Sequence, residues 1–544
     1  MAQHIDRRAP DEIRAVVGYQ EPKDKCWNVN YPLTLRRLVD NDPLVSGANV
    51  LNDQWMERAG RAIGDNTCLK KLDIDLKYDG MTTRKAPLRL AEFCRDISRN
   101  RSIEWLKLSV NRHLEENIYQ LLIPFFKSNY NLRSITIYDN SYNSSPIFSS
   151  LCAVLSGCQE NRLERLHVSL NSISAEEERE FFTLLNSMGT LLDLSYDERT
   201  NGIGEAGCLE LCTLLMNPQS TLHTLHVRLG NSCGNDCIHT LSAGLTRSAS
   251  LKLLHLRENS SITANGWGVF FCSVFIYRER FVELERLILV STEIGNEGAT
   301  MLGHALTNNK TLKVLHLANI SSVTQEGWKQ FACRFIDTAV EELFLFNCNL
   351  NDLSAASIVC VLEFNNSLKK LDIASNPSIY PAGLAMIFQL LLQRNPPALE
   401  ELDVTENFRL GRLNRDGWRL LSRVICDKTS IDATYSSHHS FHTLRGLEYR
   451  IPKDIASILE MNKNEKDKVE LARQKILKCH FTGRRSDVQV FARMPENVLP
   501  FAIEWIGRNQ LGYSLMHAFV CGFPTLFDIR HGPQPTGAKK RKIL

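Results

Sequence analysis

Leucine and isoleucine recur along this chain in one fixed order, L-x-x-L-x-L, or in close variants of it. LKKLDIASN at 368–376 is one example, and the middle leucine returns about every 30 residues from Leu72 to Leu402. Within each phrase apolar and polar residues alternate, which predicts a short strand. The residues between phrases have helical spacing, as in GNEGATMLGHALTNNKTL. The pattern predicts twelve strand–helix units, with a weaker candidate at Leu38.

The alternation of strands and helices determines the architecture that we expect. A strand, a helix and a second strand in the same direction form a right-handed crossover, so the strands build a parallel sheet. Neighbouring strands lie about 4.8 Å apart, whereas packed helices need about 8–10 Å. Because the helical side must be the longer arc, we predict an α/β horseshoe solenoid with the sheet on its concave side and the helices on its convex side.

One unit carries a detailed resemblance. Residues 284–312, LERLILVSTEIGNEGATMLGHALTNNKTL, resemble the leucine-rich repeat of the ribonuclease-inhibitor type. The matching positions are Leu284, Leu287, Leu289, Ile294, Gly295, Gly298, Ala299, Leu302, Ala305, Leu306, Asn309 and Leu312. Thr292 departs from the pattern, since it stands where the family usually has Asn or Cys. The resemblance is specific for the fold and says little about function.

The repeat pattern also divides the chain. We expect an N-terminal capping segment at 1–33, a solenoid of about 12–13 repeats at 34–450, a helical C-terminal cap at 451–528 and a disordered basic tail at 529–544. In MGTLLDLSYD we take Leu192 as the middle leucine, and 430–440 has strand-like spacing. The C-terminal region resembles the endings of an expanded algal (diatom) set of these proteins.

Residues that alternate with the strand leucines should form the concave wall. Apolar residues gather on three successive predicted strands, namely Ile288, Val290, Val314, Ala318, Phe344 and Phe346. Basic residues precede them and acidic residues follow, namely His226, Arg228, His255 and Arg257, then Asp372, Glu401 and Asp403. A contiguous apolar group on an open wall would face water unless a partner covers it. The predicted partner-binding residues are Ile288, Val290, Val314, His316, Phe344, Phe346, His255 and Arg257. Two alternatives are that the C-terminal segment folds over this group, or that the exposed apolar residues have no role.

Two groups of residues raise the question of a metal. His226 and His255 occupy equivalent places on neighbouring strands, but a metal site needs three or four ligands, so we interpret them as surface histidines. Cys208, Cys212, Cys233 and Cys237 have C-x-x-x-C spacing rather than the C-x-x-C of zinc ribbons, and we interpret them as packed thiols. Common nucleotide-binding, metalloprotease and hydrolase motifs are absent from the sequence. We expect no cofactor, no metal and no catalysis.

Composition narrows the classes of partner. The net charge is +3 and the pI is about 8.1, which disfavours a dedicated nucleic-acid binder. No apolar run is long enough for a membrane span. The 16 cysteines lie mostly in apolar helical patterns, as expected of a reducing compartment. We therefore predict a cytoplasmic protein. The basic run Lys539, Lys540, Arg541 and Lys542 is either a nuclear-import signal or a solvated tail.

The sequence favours a monomeric, non-catalytic scaffold that binds a protein partner on its concave surface. The alternative is a GTPase-activating protein of the Ran type, which shares this repeat. That family has an acidic C-terminal tail, whereas the tail of this chain is basic. A ribonuclease inhibitor is disfavoured because that resemblance implies a broadly acidic wall.

Overall fold

The computed structural model describes residues 47–481 apart from a set of gaps. The gaps are 51–52, 77–85, 111–122, 127, 140–143, 157–161, 277–282, 308, 361, 363, 395–397, 408–412 and 448–449. The described residues form two compact units. The first runs to Ile262 and also includes Glu283, and the second contains residues 263–276 and the described residues from Leu284 onward. The expected N-terminal capping segment, the candidate repeat at Leu38 and the basic tail lie outside the described residues.

Parallel strands and helices alternate throughout the first unit. Its described strands are β1 (Gly47–Val50), β2 (Lys71–Leu76), β3 (Trp105–Val110), β4 (Ser134–Asp139), β5 (Arg165–Leu170), β6 (Asp193–Glu198), β7 (Thr224–Arg228) and β8 (Leu253–Asn259). Each pairs in parallel with the next in chain order. Its described helices include α1 (Asp53–Asp65), α2 (Ala86–Ile97), α3 (Ser145–Ser156), α4 (Ala175–Asn186), α5 (Glu205–Met216) and α6 (Asn235–Leu245). The predicted α/β repeat is confirmed in this unit.

The strand leucines form the core of the first unit. Leu106, Leu166, Leu225 and Leu254 are buried and lie opposite the central apolar residue of each neighbouring strand. The residues next to them in sequence lie on the other side of the strand, because successive side chains of a strand point to opposite faces. We call this second side the sheet face.

The predicted register of β6 is wrong by two residues. Leu194, not Leu192, lies opposite Leu166 and Leu225. The third apolar position of this strand is filled by Tyr196, which is buried like the leucine it replaces. Ser195 and Asp197 therefore lie on the sheet face at the positions that the Leu192 register assigns to Asp193 and Ser195.

Two loops of the first unit approach each other closely at a pair of glycines. Gly202 and Gly230 both have positive φ, 73° and 62°. A Cβ on Gly230 would lie 1.7 Å from the carbonyl oxygen of Asn201, and a Cβ on Gly202 would lie 2.3 Å from the Gly230 nitrogen. Both the backbone conformation and the space therefore require glycine at these positions.

The second unit repeats the same alternation of strands and helices. Its described strands are β9 (Arg286–Thr292), β10 (Val314–Ala318), β11 (Glu342–Phe346), β12 (Lys370–Asp372), β13 (Glu401–Asp403) and β14 (Thr443–Arg445), paired in parallel in chain order. Its described helices include α7 (Ala264–Phe275), α8 (Gly295–Leu306), α9 (Gln325–Arg334), α10 (Asp352–Cys360), α11 (Pro381–Arg394), α12 (Arg415–Ile425), α13 (Ile431–Tyr435), α14 (Lys453–Asn464) and α15 (Lys468–Ile476), followed by a π-helix at Leu477–Phe481.

Buried asparagines connect successive repeats in this unit. The Asn376 amide nitrogen donates to the carbonyl oxygens of Leu345, Ile373 and Ala374, and its oxygen accepts from the backbone N–H of Cys348 and Leu350. These bonds satisfy backbone groups that the chain leaves unpaired where it turns away from the strand. The Asn or Cys position of the repeat is therefore a structural position.

The C-terminal end of the repeats differs from the sequence prediction. Residues 430–440 do not form a strand, because Ser430 begins helix α13 by accepting a hydrogen bond from the Ala433 N–H. The strand lies further on, where Leu444 pairs with Leu402. Helices α14 and α15 and the π-helix lie in the segment expected to form a cap, and residues 482–528 of that segment lie outside the described residues.

Candidate functional site

The predicted apolar residues of the second unit form two rows on the sheet face. Ile288, His316 and Phe344 lie opposite one another on β9, β10 and β11. Val290, Ala318 and Phe346 form the next row on the same strands. The sequence therefore predicted correctly which of these side chains are neighbours.

Their exposure was not predicted correctly. Ile288 is 0% and Phe344 3% exposed, and Val290, Val314 and His316 are buried as well. Phe346 alone among the predicted contact residues of this unit is half-buried rather than buried. The expectation of an open apolar patch is therefore wrong for all of these residues except Phe346.

Part of this burial comes from the row itself. The His316 and Phe344 rings stack with centroids 5.1 Å apart, and the Lys370 amino group lies 4.6 Å from the centre of the Phe344 ring. Burial, followed by the positive charge of Lys370, lowers the pKa of His316 to about 4. His316 is therefore neutral at physiological pH and acts as a flat packing surface for Phe344.

Acidic residues follow the apolar rows, as predicted. Asp372 lies opposite Phe344 and Asp403, and Glu401 lies opposite Lys370. All four of these polar residues are half-buried, so their heads are accessible on the sheet face. The strands β11, β12 and β13 together carry four acidic residues and one lysine.

The predicted basic residues of the first unit are largely neutralised. Arg257 forms an ion pair of 2.5 Å with Asp197, and Arg228 forms one of 2.6 Å with Glu258. Arg199 and Arg228 also approach Asp197, each at 3.9 Å. Burial opposes the ionisation of Asp197, but Arg257 outweighs it with the help of Ser169 and Arg199, and the pKa is lowered. Asp197 was missed because of the register error in β6.

The two histidines of the first unit are paired with each other. The Nδ1 atoms of His226 and His255 lie 2.9 Å apart. Burial, followed by the charges of His167 and Arg257, lowers the pKa of His226 to about 3. His226 is therefore neutral near pH 6. The interpretation of these residues as solvated surface histidines is wrong for His255, which is buried, whereas His226 is half-buried.

A buried acid joins two repeats of the first unit. The Glu178 carboxylate on α4 accepts hydrogen bonds from the Tyr196 hydroxyl, at 2.8 Å, and from the Gly204 N–H, at 3.0 Å. Helix α5 has no side-chain cap of its own at Gly204, so Glu178 supplies one from the preceding repeat. Gly207 leaves room for it, since a Cβ there would lie 2.4 Å from the Glu178 Cδ. Burial raises the pKa of Glu178 to about 7.

Three of the four cysteines singled out in the sequence come together. The sulfur atoms of Cys208, Cys233 and Cys237 all lie within 4.8 Å of one another, and all three residues are buried. Cys212 faces elsewhere, with its sulfur 3.6 Å from that of Met216. Packing in the core, as predicted, is confirmed for all four, but the clustering of three thiols was not foreseen.

Known proteins with similar sequences are repeat proteins. The chain is 30% identical over 184 residues to human NACHT, LRR and PYD domains-containing protein 14, covering 33% of this chain and 16% of that protein. It is 26% identical over 259 residues to mouse ribonuclease inhibitor, covering 47% of this chain and 54% of that protein. The chain thus spans about half the length of ribonuclease inhibitor and a smaller share of the NACHT protein. No protein-family model matches it.

Among solved structures, the yeast Rad7 chain in its complex with Elc1 aligns with a TM-score of 0.43 and 14% identity, covering 75% of this chain and 94% of that chain. Among the described helices, none combines the length and the apolar character that crossing a membrane requires. The repeat pattern and the parallel strand–helix alternation are those of a leucine-rich-repeat fold, and in sequence this chain is similar to the ribonuclease inhibitors of mouse and pig.

Proposed function

We propose that this chain is a non-catalytic, intracellular scaffold that binds a protein partner on the sheet face of its second unit. The observation that carries this proposal is Phe346, a half-buried aromatic side chain on a row whose other members are rigidly packed. Aromatic residues held in this way are typical anchors of protein interfaces, because little side-chain entropy is lost when they are covered. Ribonuclease inhibitor inhibits a ribonuclease, as its name says, which supports a binding role for the shared repeat.

The neighbouring charges indicate the chemistry of the partner. Glu342, Asp372, Glu401 and Asp403 lie around Lys370, and Glu401 also pairs with Arg445 of β14 at 3.4 Å. Acidic groups still outnumber basic ones on this part of the face, which favours a basic partner surface. Opposite charges steer encounter and fix orientation more than they add affinity. We therefore infer a partner that offers an apolar contact for Phe346 beside a basic patch.

The other predicted contact residues take supporting roles in this proposal. Ile288, Val290, Val314 and Phe344 lie on the same face as Phe346 but are buried, so they are proposed to support Phe346 rather than to contact the partner. In the first unit His255 is buried, and Arg257 is paired with Asp197 and only about one-third exposed, at 34% of its side chain. Phe346 is therefore the residue to test, since Phe344→Asp would place a charge in the core.

The test compares two phenylalanines. The full chain, Phe346→Asp and the control Phe364→Asp are used as baits, because Phe364 is 58% exposed and lies outside the described strands. A partner recovered with the parent chain is purified, and its affinity for each variant is measured by calorimetry. We expect Phe346→Asp to weaken binding at least tenfold, about 1.4 kcal/mol, and Phe364→Asp to leave it unchanged.

Equal affinity of all three proteins would refute the proposed surface. Asp372→Asn and Asp403→Asn should reduce the salt dependence of binding, because each removes a charge facing the basic patch. The GTPase-activating alternative is tested separately with GTP-loaded small GTPases. Accelerated phosphate release over multiple turnovers would support the GTPase-activating alternative and refute the non-catalytic scaffold proposal.

A further inference from the structure

The three clustered cysteines come from two successive repeats of the first unit. Cys208 lies in the first turn of α5, Cys237 lies in the first turn of α6, and Cys233 lies in the loop that leads into α6. The Cys208 and Cys233 sulfur atoms are 4.0 Å apart, and each sulfur lies within 4.8 Å of both others. The cluster therefore depends on the stacking of two repeats.

The separations match those of a three-sulfur metal site. A metal bound symmetrically to three thiolates at about 2.3 Å requires sulfur atoms about 4.0 Å apart. One pair already has that distance, and the other two are no more than 4.8 Å apart.

The local electrostatics favour a thiolate in this cluster. Cys237 lies in the first turn of α6, close to the backbone N–H groups at the beginning of that helix. The beginning of helix α6 adds its partial positive charge. Metal binding would release the thiol protons of the cluster to solvent and form three metal–sulfur bonds, with no change in oxidation state.

Simple packing of cysteine as a small apolar residue does not explain this arrangement. Other buried cysteines of the first unit, such as Cys94, Cys152 and Cys212, belong to no such group. Within the part of the chain that the structure describes, these three are the only His, Cys, Asp or Glu residues whose ligand atoms gather closely enough to hold an ion.

We propose that Cys208, Cys233 and Cys237 bind one thiophilic d10 metal ion, Cu(I) or Zn(II), inside the first unit. Thiolate ligands select these ions over harder ones. Cu(I) is satisfied by three sulfur ligands, whereas Zn(II) normally takes four ligands and would need an additional one. The ion would join two adjacent repeats and stabilise their stacking. This inference is independent of the proposed partner surface.

The test uses the reduced, metal-free full chain in two separate titrations. Cu(I) is added in competition with bicinchoninate, and Zn(II) is added in competition with a chromogenic chelator. We expect one equivalent of one ion to be retained, with X-ray absorption showing sulfur neighbours at about 2.3 Å. Cys237→Ser and Cys233→Ser should weaken retention at least 100-fold, and the buried control Cys212→Ser should retain the ion as the parent does.

Folding of each variant is checked by circular dichroism, and Cys208→Ala serves as a further variant if a serine variant does not fold. Failure of the parent chain to retain either ion in competition would overturn the proposal. Retention by a folded Cys208, Cys233 and Cys237 triple variant would also overturn it. Loss of binding in Cys212→Ser equal to that in Cys237→Ser would contradict the assignment of the ligands.

Discussion

The buried Glu178 should make the first unit less stable as the pH rises. Its pKa is raised from 4.5 to about 7 in the fold, mainly because burial disfavours the carboxylate. A group with a raised pKa binds more protons when folded, so the stability that it contributes is complete below pH 4.5 and is lost as the pH passes through 7. One pKa unit corresponds to about 1.4 kcal/mol, so ionising Glu178 costs about 3 kcal/mol more in the folded protein than in the unfolded chain.

Glu178→Gln isolates this effect. A glutamine is neutral at every pH, and its amide can still donate to the Tyr196 oxygen and accept from the Gly204 N–H, provided the tyrosine hydroxyl reorients. We expect the variant to match the parent near pH 4.5 and to be more stable by about 3 kcal/mol at pH 8. Glu180→Gln on the same helix is the control, because Glu180 is exposed.

Hydrogen exchange measured by mass spectrometry suits this prediction, since a repeat protein of this length need not unfold in one step. Exchange of peptides from α4 and β6 is compared between variant and parent at the same pH, so that the intrinsic exchange rate cancels. The ratio of the protection factor in Glu178→Gln to that in the parent should rise by roughly two orders of magnitude between pH 4.5 and pH 8. A ratio that does not change with pH would refute the reasoning, as would weaker protection of the variant at pH 8.

Two further predictions concern the second unit. Asn376→Ala removes five buried hydrogen bonds and should destabilise β11 and β12 by about 3 kcal/mol, at roughly 1 kcal/mol or less for each bond. Hydrogen exchange of peptides from β11 and β12 measures this effect, with Asn464→Ala as the control because Asn464 is exposed. Unchanged exchange in Asn376→Ala would contradict the structural role of Asn376. The Cys426 and Cys479 sulfur atoms are 3.2 Å apart, and a hydrogen bond from Cys426, followed by nearby lysines, lowers the pKa of Cys479 to about 7. The oxidant diamide should therefore form the Cys426–Cys479 disulfide before any other, and peptide mapping would detect it. Cys426→Ser should prevent this disulfide, whereas Cys333→Ser should not. A different disulfide forming first would count against the prediction.

The repeat pattern predicted the strand positions well, because each strand must bury the same leucines against the helices. It failed at β6, where Tyr196 fills a leucine position, and at 430–440, where the Ser430 cap outweighs an apparent alternation. At β6 the repeat keeps an ordinary length, 28 residues from Leu166 to Leu194, whereas the last repeat lengthens to 42 residues from Leu402 to Leu444.

The candidate site was harder to predict than the fold. The register identified the neighbours of Phe344, but burial depends on what packs against a row, and the sequence does not contain that information directly. Similarly, equivalent repeat positions placed Cys208 beside Cys237, whereas Cys233 joined them from an irregular loop. The capping of α5 by Glu178 crosses two repeats and leaves no local sequence signal.

The glycine pair at 202 and 230 has a consequence for engineering this array. Consensus repeats are often exchanged as interchangeable modules, because each contacts only its neighbours. Here the loops of two consecutive repeats are in close backbone contact, and a methyl group added to either glycine would come within 3 Å of the opposite loop. Replacing either module with a standard one would require a compensating change in the other, so these two repeats must be transplanted together.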